Sequence, residues 1–201
     1  VGLSSQQVLA AQKVYTQAII QITEGQCYDL AFETEKAITE ETYLAMIQRK
    51  TARLIQLTCE LGGLIAQAPP DRIAALQTYG EAVGMTFQML DDMLGLWGEP
   101  QRTGKPVGSD LRNRKKTLPI IHGLSHSATF EALFNSAALD DEDTVQTALG
   151  MLKDAGSYDY VHARASCYYE QALQALQESA GIGEAQEAIF ALTKRLLNRD
   201  K

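Results

Sequence analysis

Apolar residues recur along this chain at three- and four-residue intervals almost from end to end, the spacing of one face of an α-helix. Val8, Ala11, Tyr15, Ala18, Ile19 and Ile22 form the first stripe. It starts behind the capping residues Ser4 and Ser5 and runs to about Phe32. Thr39 predicts the next helix start, with Glu40 and Glu41 in the first turn, where carboxylates suit the positive end of the helix dipole. Leu44, Ile47, Leu54, Leu57, Leu61 and Leu64 carry that helix to about Ala68, and Pro69-Pro70 closes it and opens the next. The third long helix bears Ile73, Leu76, Val83, Phe87, Leu90 and Leu94 and ends near Trp97-Gly98.

From Gly98 to Lys116 the rhythm breaks. Gly98, Pro100, Gly104, Pro106 and Gly108 alternate with Arg102, Lys105, Arg112, Arg114, Lys115 and Lys116, which predicts a long basic loop. Loops of that length inside a compact domain are usually functional or disordered. Helical spacing resumes near Leu118. Asp140 or Asp141 caps a helix to about Ala155, and two more run from about Tyr158 to Ser179 and from about Gly183 to Leu197. No segment alternates with period two, and no repeat or linker divides the chain. The expected fold class is therefore all-α, a bundle of long helices over residues 1–201 as one domain, with its site between helices.

Composition narrows the function. The chain has 201 residues, 45% of them hydrophobic and 21% charged, ordinary for a packed protein. A formal net charge of −7 argues against a nucleic-acid or anionic-membrane partner. An anionic small molecule fits only with local cations or a metal. No apolar run is long enough for a membrane span, and the start Val1-Gly2-Leu3-Ser4-Ser5 lacks the features of a signal peptide. Cys27, Cys59 and Cys167 are odd in number and far apart, and are expected to be small buried hydrophobes of a cytoplasmic protein.

Three successive long helices carry polar residues where the stripe calls for apolar ones. Gln26 and Asp29 stand three apart on the first, Lys50 and Thr51 interrupt the second, and Gln88, Asp91 and Asp92 stand at i, i+3 and i+4 on the third. Charges among Phe, Met and Leu are costly to bury unless paired or metal-bound. Two adjacent carboxylates can share a hard cation. Mg2+ keeps several waters and is held by one or two carboxylates plus substrate phosphates. Lys50, Lys105 and Lys115 are cations available to the same phosphates. A diphosphate so neutralised is poised to leave. Each group alone also reads as a solvated helix face or a snorkelling lysine; their coincidence with the basic loop points to chemistry.

Other patterns lead nowhere. Gly98 to Lys105 imitates a phosphate loop, but five residues separate Gly98 from Gly104, and Pro106 stands where Ser or Thr would coordinate the metal. His122 and His126 lack the intervening glutamate of a helical zinc motif, and His162 is expected to be structural. Tyr158, Tyr160, Tyr168 and Tyr169 are expected to pack, and the acidic run Asp140 to Asp143 to start a helix.

In chain order, five pieces resemble the trans-isoprenyl diphosphate synthases, the polyprenyl synthetase family. They are Gly25-Gln26-Cys27-Tyr28-Asp29 (G-Q-x-x-D), Lys50-Thr51-Ala52 (K-T-A), Gly84 to Asp92 (G-M-T-F-Q-M-L-D-D), Thr103 to Asp110 (T-G-K-P-x-G-x-D) and Lys115 to Pro119 (K-K-T-L-P). The resemblance implies an isoprenoid-synthase bundle around a deep cavity, usually homodimeric, with an apolar tunnel for the growing tail. It implies condensation of isopentenyl diphosphate with an allylic diphosphate to a linear polyprenyl diphosphate, geranylgeranyl-like or of medium chain length. It implies further that Asp91 binds Mg2+ with Asp92 beside it. Lys50, Thr51 and Gln88 would contact the allylic diphosphate or the carbocation, Lys105 would bind the diphosphate, and Lys115 would help close the site. Gln26 and Asp29 would line the metal cluster, with Asp110 behind it.

The chain departs from the family pattern twice. The usual D-D-x-x-D is Asp91-Asp92-Met93-Leu94-Gly95 here, a D-D-x-x-G form that a branch of the family resembles. The family's first aspartate-rich motif precedes G-Q-x-x-D, and no Asp stands before Gln26. The expectation is that an N-terminal part is absent from this sequence and that the chain alone is inactive. A class I terpene cyclase and a non-catalytic regulatory subunit of the same fold are the competing readings.

Overall fold

Local signals set the helix ends. At the first, Ser4 Oγ accepts from the Gln7 N–H (3.3 Å) and Gln7 Oε1 from the Ser4 N–H (2.8 Å), a reciprocal capping box. Thr39 Oγ1 accepts from the Thr42 N–H (3.2 Å) and Asp141 Oδ2 from the Thr144 N–H (3.0 Å), so both expected caps form, while Asp140 lies outside the described residues. A computed structural model describes residues 2–136, 139, 141–179 and 183–197, without the side chains of Arg102, Thr103, Leu196 and Leu197. The order is α1 (Ser5–Thr34), α2 (Glu40–Ile47), a π-helical turn (Gln48–Ala52), α3 (Arg53–Ile65), α4 (Pro70–Trp97), α5 (Pro100–Thr103), α6 (Ser109–Arg112), α7 (Leu118–His126), α8 (Ala128–Phe134), α9 (Glu142–Asp154), α10 (Ser157–Glu178) and α11 (Glu184–Leu197). Among the described residues there is no strand, as the all-α expectation has it.

Two expected helix and loop boundaries need correction. The second long helix is not one α-helix to Ala68. A π turn holding Lys50 and Thr51 interrupts it, and it stops at Ile65 because Gln67 takes a left-handed φ of 57°. Gly98 to Lys116 is not a bare loop either: α5 and α6 sit inside it. Pro100 fits the first turn of α5, where a backbone N–H would have no carbonyl partner within the helix, and Gly104 (φ 68°) ends it.

The chain forms two units. One takes the described residues of 1–29, 45–88 and 166–201. Its core joins Tyr79, Ala82 and Val83 of α4 to Ala172, Ala175 and Leu176 of α10, with Ile189 and Phe190 of α11 against them. The other takes 30–44 and 89–165. There Leu96, Leu111, Ile120, Phe130, Phe134, Val145, Leu149 and Leu152 converge, so the segment after α4 is anchored by its own apolar residues. The first stripe is only partly buried. Ala18 is covered, but Val8 (41%), Tyr15 (53%) and Ile19 (40%) are exposed. Cys27 and Cys167 are also exposed and Cys59 half-buried, which corrects the expectation of three buried thiols.

Candidate functional site

In the first unit, the π turn carries Lys50 and Thr51. Such turns hold one extra residue per turn and recur at functional sites. Two helices press on it at glycines. A Cβ on Gly25 of α1 would collide with the Lys50 backbone N and stand 2.8 Å from Arg49 Cβ; one on Gly84 of α4 would collide with Ala52 Cα and stand 2.8 Å from its Cβ. This approach aligns the polar residues of three helices. Lys50 Nζ is ion-paired with Asp29 Oδ2 of α1. Thr51 Oγ1 donates to Gln88 Oε1 of α4 at 2.8 Å. All four side chains are half-buried, whereas Gln26 lies exposed on α1. Below the turn, Arg53 donates to Gln21 and Gln56 (both 2.8 Å) and to Glu60 (3.1 Å), tying α3 to α1.

In the second unit, the two adjacent aspartates separate in role. Asp91 is exposed. Asp92 is 1% exposed, and its Oδ2 accepts from the Tyr43 hydroxyl of α2 at 2.5 Å and from the Leu118 N–H at 3.4 Å. Leu118 opens α7, where Thr117 makes no side-chain cap. A carboxylate from α4 therefore meets the positive end of α7. The segment just before α7 is held on both sides. The Lys115 N–H donates to the Asp110 carbonyl (2.9 Å) and Lys116 Nζ to the Phe32 carbonyl at the end of α1 (2.9 Å). Lys105 and Lys115 stay exposed.

Asp110 is half-buried, and burial pushes its carboxyl above the usual range. Lys115 pulls it back, the negative charge of Asp91 raises it further, and Lys105 opposes that. A carboxylate near a second one and two lysines suits a divalent cation carrying a polyanion. No group of three or more His, Cys, Asp or Glu among the described residues is arranged to hold a metal. Mg2+ does not require one when substrate phosphates complete its shell.

The residues set aside in the sequence are packing groups. The His122 ring stacks on His126 (4.0 Å) and on Tyr160 (4.4 Å), and its Nδ1 meets Ser157 Oγ at 3.0 Å. Burial, then the charge of His126, lowers the His122 pKa. The Tyr160 hydroxyl donates to Glu40 (2.6 Å), and Tyr158 packs edge-on against Trp97 (5.2 Å). Tyr43 was not among the candidate residues: its partner is 49 positions away, and no local pattern marks it.

The sequence profile described as Polyprenyl synthetase matches residues 3–152. A geranylfarnesyl diphosphate synthase of Aeropyrum pernix is 34% identical over 201 residues, covering 100% of this chain and 63% of that protein. A (2E,6E)-farnesyl diphosphate synthase of Mycobacterium bovis is 42% identical over 144 residues, covering 72% of this chain and 40% of the relative. The crystal structure of a geranylgeranyl pyrophosphate synthetase from Pyrococcus horikoshii Ot3 superimposes with a TM-score of 0.88 at 30% identity, over 98% of this chain and 61% of that one. The chain thus spans about three-fifths of the length of its full-coverage relatives.

Proposed function

This chain belongs to the polyprenyl synthetase family, and we propose from that membership that the protein is a trans-prenyltransferase. It joins isopentenyl diphosphate to an allylic diphosphate and releases a linear polyprenyl diphosphate of geranylgeranyl or medium length. The observation that carries the reading is the pairing of Lys50 with Asp29 and of Thr51 with Gln88 at the π turn, together with Asp110 in the field of Asp91, Lys105 and Lys115.

Asp91, with Asp92 beside it and Asp110 behind, would hold Mg2+, which supplies charge neutralisation to the leaving diphosphate. Lys105 and Lys115 bind its oxygens as point charges. Lys50, ion-paired with Asp29, binds the allylic diphosphate. Thr51 and Gln88 present oxygen lone pairs that stabilise an allylic cation once the carbon–oxygen bond has parted. The alkene of isopentenyl diphosphate then attacks, and loss of a proton to the departed diphosphate leaves the lengthened product. Asp92 acts beside Asp91 by fixing α4 against α7. Homodimeric assembly and a cytoplasmic location are part of the same proposal. No helix among the described residues is long and apolar enough to cross a membrane.

The test is product analysis of the whole protein supplied with isopentenyl diphosphate, an allylic diphosphate and Mg2+. Longer linear diphosphates are expected. Cyclic hydrocarbons would establish a terpene cyclase instead, and absence of turnover would establish a non-catalytic subunit. In the active protein Asp91→Ala should lower kcat by at least about tenfold with little loss of stability, because the side chain is exposed. Lys105→Ala should raise KM for the allylic substrate. Wild-type kcat in the first variant removes Asp91 from the metal.

A further inference from the structure

A helix that ends in a left-handed turn favours glycine there, because a Cβ is crowded in that region of backbone space. The helix α6 ends in such a turn. The Lys115 N–H donates to the Asp110 carbonyl (2.9 Å) and the Arg114 N–H to the Leu111 carbonyl (3.0 Å), the two backbone bonds of a Schellman motif. The left-handed position of the motif is held by Arg114, with a φ of 50°. Glycine would make both bonds without strain. A strained arginine persists only where its surroundings hold it, and here its side chain is held. Nη1 donates to the Phe134 carbonyl and Nη2 to the Ser136 carbonyl. Phe134 closes α8 and Ser136 lies just past it, where backbone carbonyls lack a helical N–H. The neighbouring cations are engaged as well. Arg112 is ion-paired with Glu142, and Lys116 Nζ donates to the Phe32 carbonyl in the last turn of α1 (2.9 Å). Lys115, between Arg114 and Lys116, is exposed, and its ammonium acts on the Asp110 carboxylate.

We propose that Arg114 is a positioning residue for Lys115: its guanidinium clamps the left-handed turn to the end of α8 and so fixes how the Lys115 ammonium meets an anionic ligand. The cations on either side grip helix ends, and the middle one is presented. A lysine on an unclamped turn loses backbone freedom as well as rotamer freedom when it binds, whereas a clamped one loses only the second. That the ligand is a diphosphate rests on the prenyltransferase reading. The clamp rests on the bonds alone.

The experiment is a double-mutant cycle read by calorimetric binding of Mg2+ with inorganic pyrophosphate to the whole protein, which requires no turnover. Arg114→Gly removes the guanidinium and suits the left-handed turn. It should weaken binding by about tenfold, and so should Lys115→Ala. In the Lys115→Ala background, Arg114→Gly should cost nothing more, because no ammonium is left to position. Should Arg114→Gly fail to fold, Arg114→Asn, whose short side chain also tolerates the left-handed region, carries the same cycle. Losses that multiply in the double variant overturn the proposal, since Arg114 then acts by its own charge. An Arg114→Gly protein that melts lower but binds like wild type also overturns it, since the clamp is then structural only. A non-additive cycle in a protein that makes no prenyl product would sink the prenyltransferase reading and leave this one standing. A wild-type protein that does not bind pyrophosphate with Mg2+ overturns both.

Discussion

A glycine is required either by its own backbone angle or by what stands beside it. Gly104 and Gly108 are of the first kind, with φ of 68° and 71°. Gly25, Gly80 and Gly84 are of the second: they lie in helices, yet a Cβ on any of them would strike the π turn or α3, at Gly80 within 2.6 Å of Gln56 Cα. Gly62 and Gly150 are of neither kind, with nothing within 4 Å of an added Cβ. Gly62→Ala and Gly150→Ala should each therefore stabilise by about 0.4–1 kcal/mol, and Gly84→Ala should destabilise by about 1–3 kcal/mol, as read from denaturant midpoints. A Gly84→Ala protein as stable as wild type would mean that the helices are not in backbone contact. This is also where reading the sequence stops. Lys50, Thr51, Gln88 and Asp29 are visible in it because a polar residue inside an apolar stripe breaks a local pattern. Tyr43 is not, and neither is the backbone contact at Gly84, because each depends on what a distant helix places opposite it.

Elements were legible where their ends are chemically local. Ser4, Thr39 and Asp141 cap the helices they were expected to cap, since each bonds a group three residues away. The π turn was not legible: one added residue per turn barely alters the apolar spacing, and the glycines that approach it, Gly25 and Gly84, stand on other helices. The two short helices after Gly98 were hidden by the glycines and prolines that bound them. Asp141 gives this level a pH test. Its carboxyl is held below the usual range, first by the Thr144 backbone N–H and then by the Thr144 hydroxyl. A lowered folded pKa means that the charged form is favoured in the fold. Its contribution is therefore complete above the ordinary carboxylate pKa and disappears as pH falls through the lowered value. Asp141→Ala should accordingly melt below wild type at neutral pH, with the two curves merging in acid. A difference that persists unchanged into strong acid would show that the cap acts without its charge.

On the scale of the molecule, α1 poses a problem of its own: a helix apolar on more than one face is normally covered on more than one face. One face holds the buried Ala18 and Gly25. On the other, Val8, Leu9 (67%), Tyr15, Ile19 and Ile20 (48%) stand in water. Isolated apolar residues on a surface need no explanation, but a stripe along a helix of 30 residues does. The proposed homodimer provides one, because two-fold symmetry would lay the stripe against its own copy. Symmetry also sharpens the test, since one substitution places two like charges in one interface. Ile20→Lys should therefore shift the whole protein to the monomer mass in sedimentation at micromolar concentration. Leu192→Lys, at a comparably exposed site on α11 (54%), should leave the mass unchanged. If Ile20→Lys keeps the dimer but lowers the melting temperature, the stripe is covered by other parts of the same polypeptide, and the subunit face lies elsewhere.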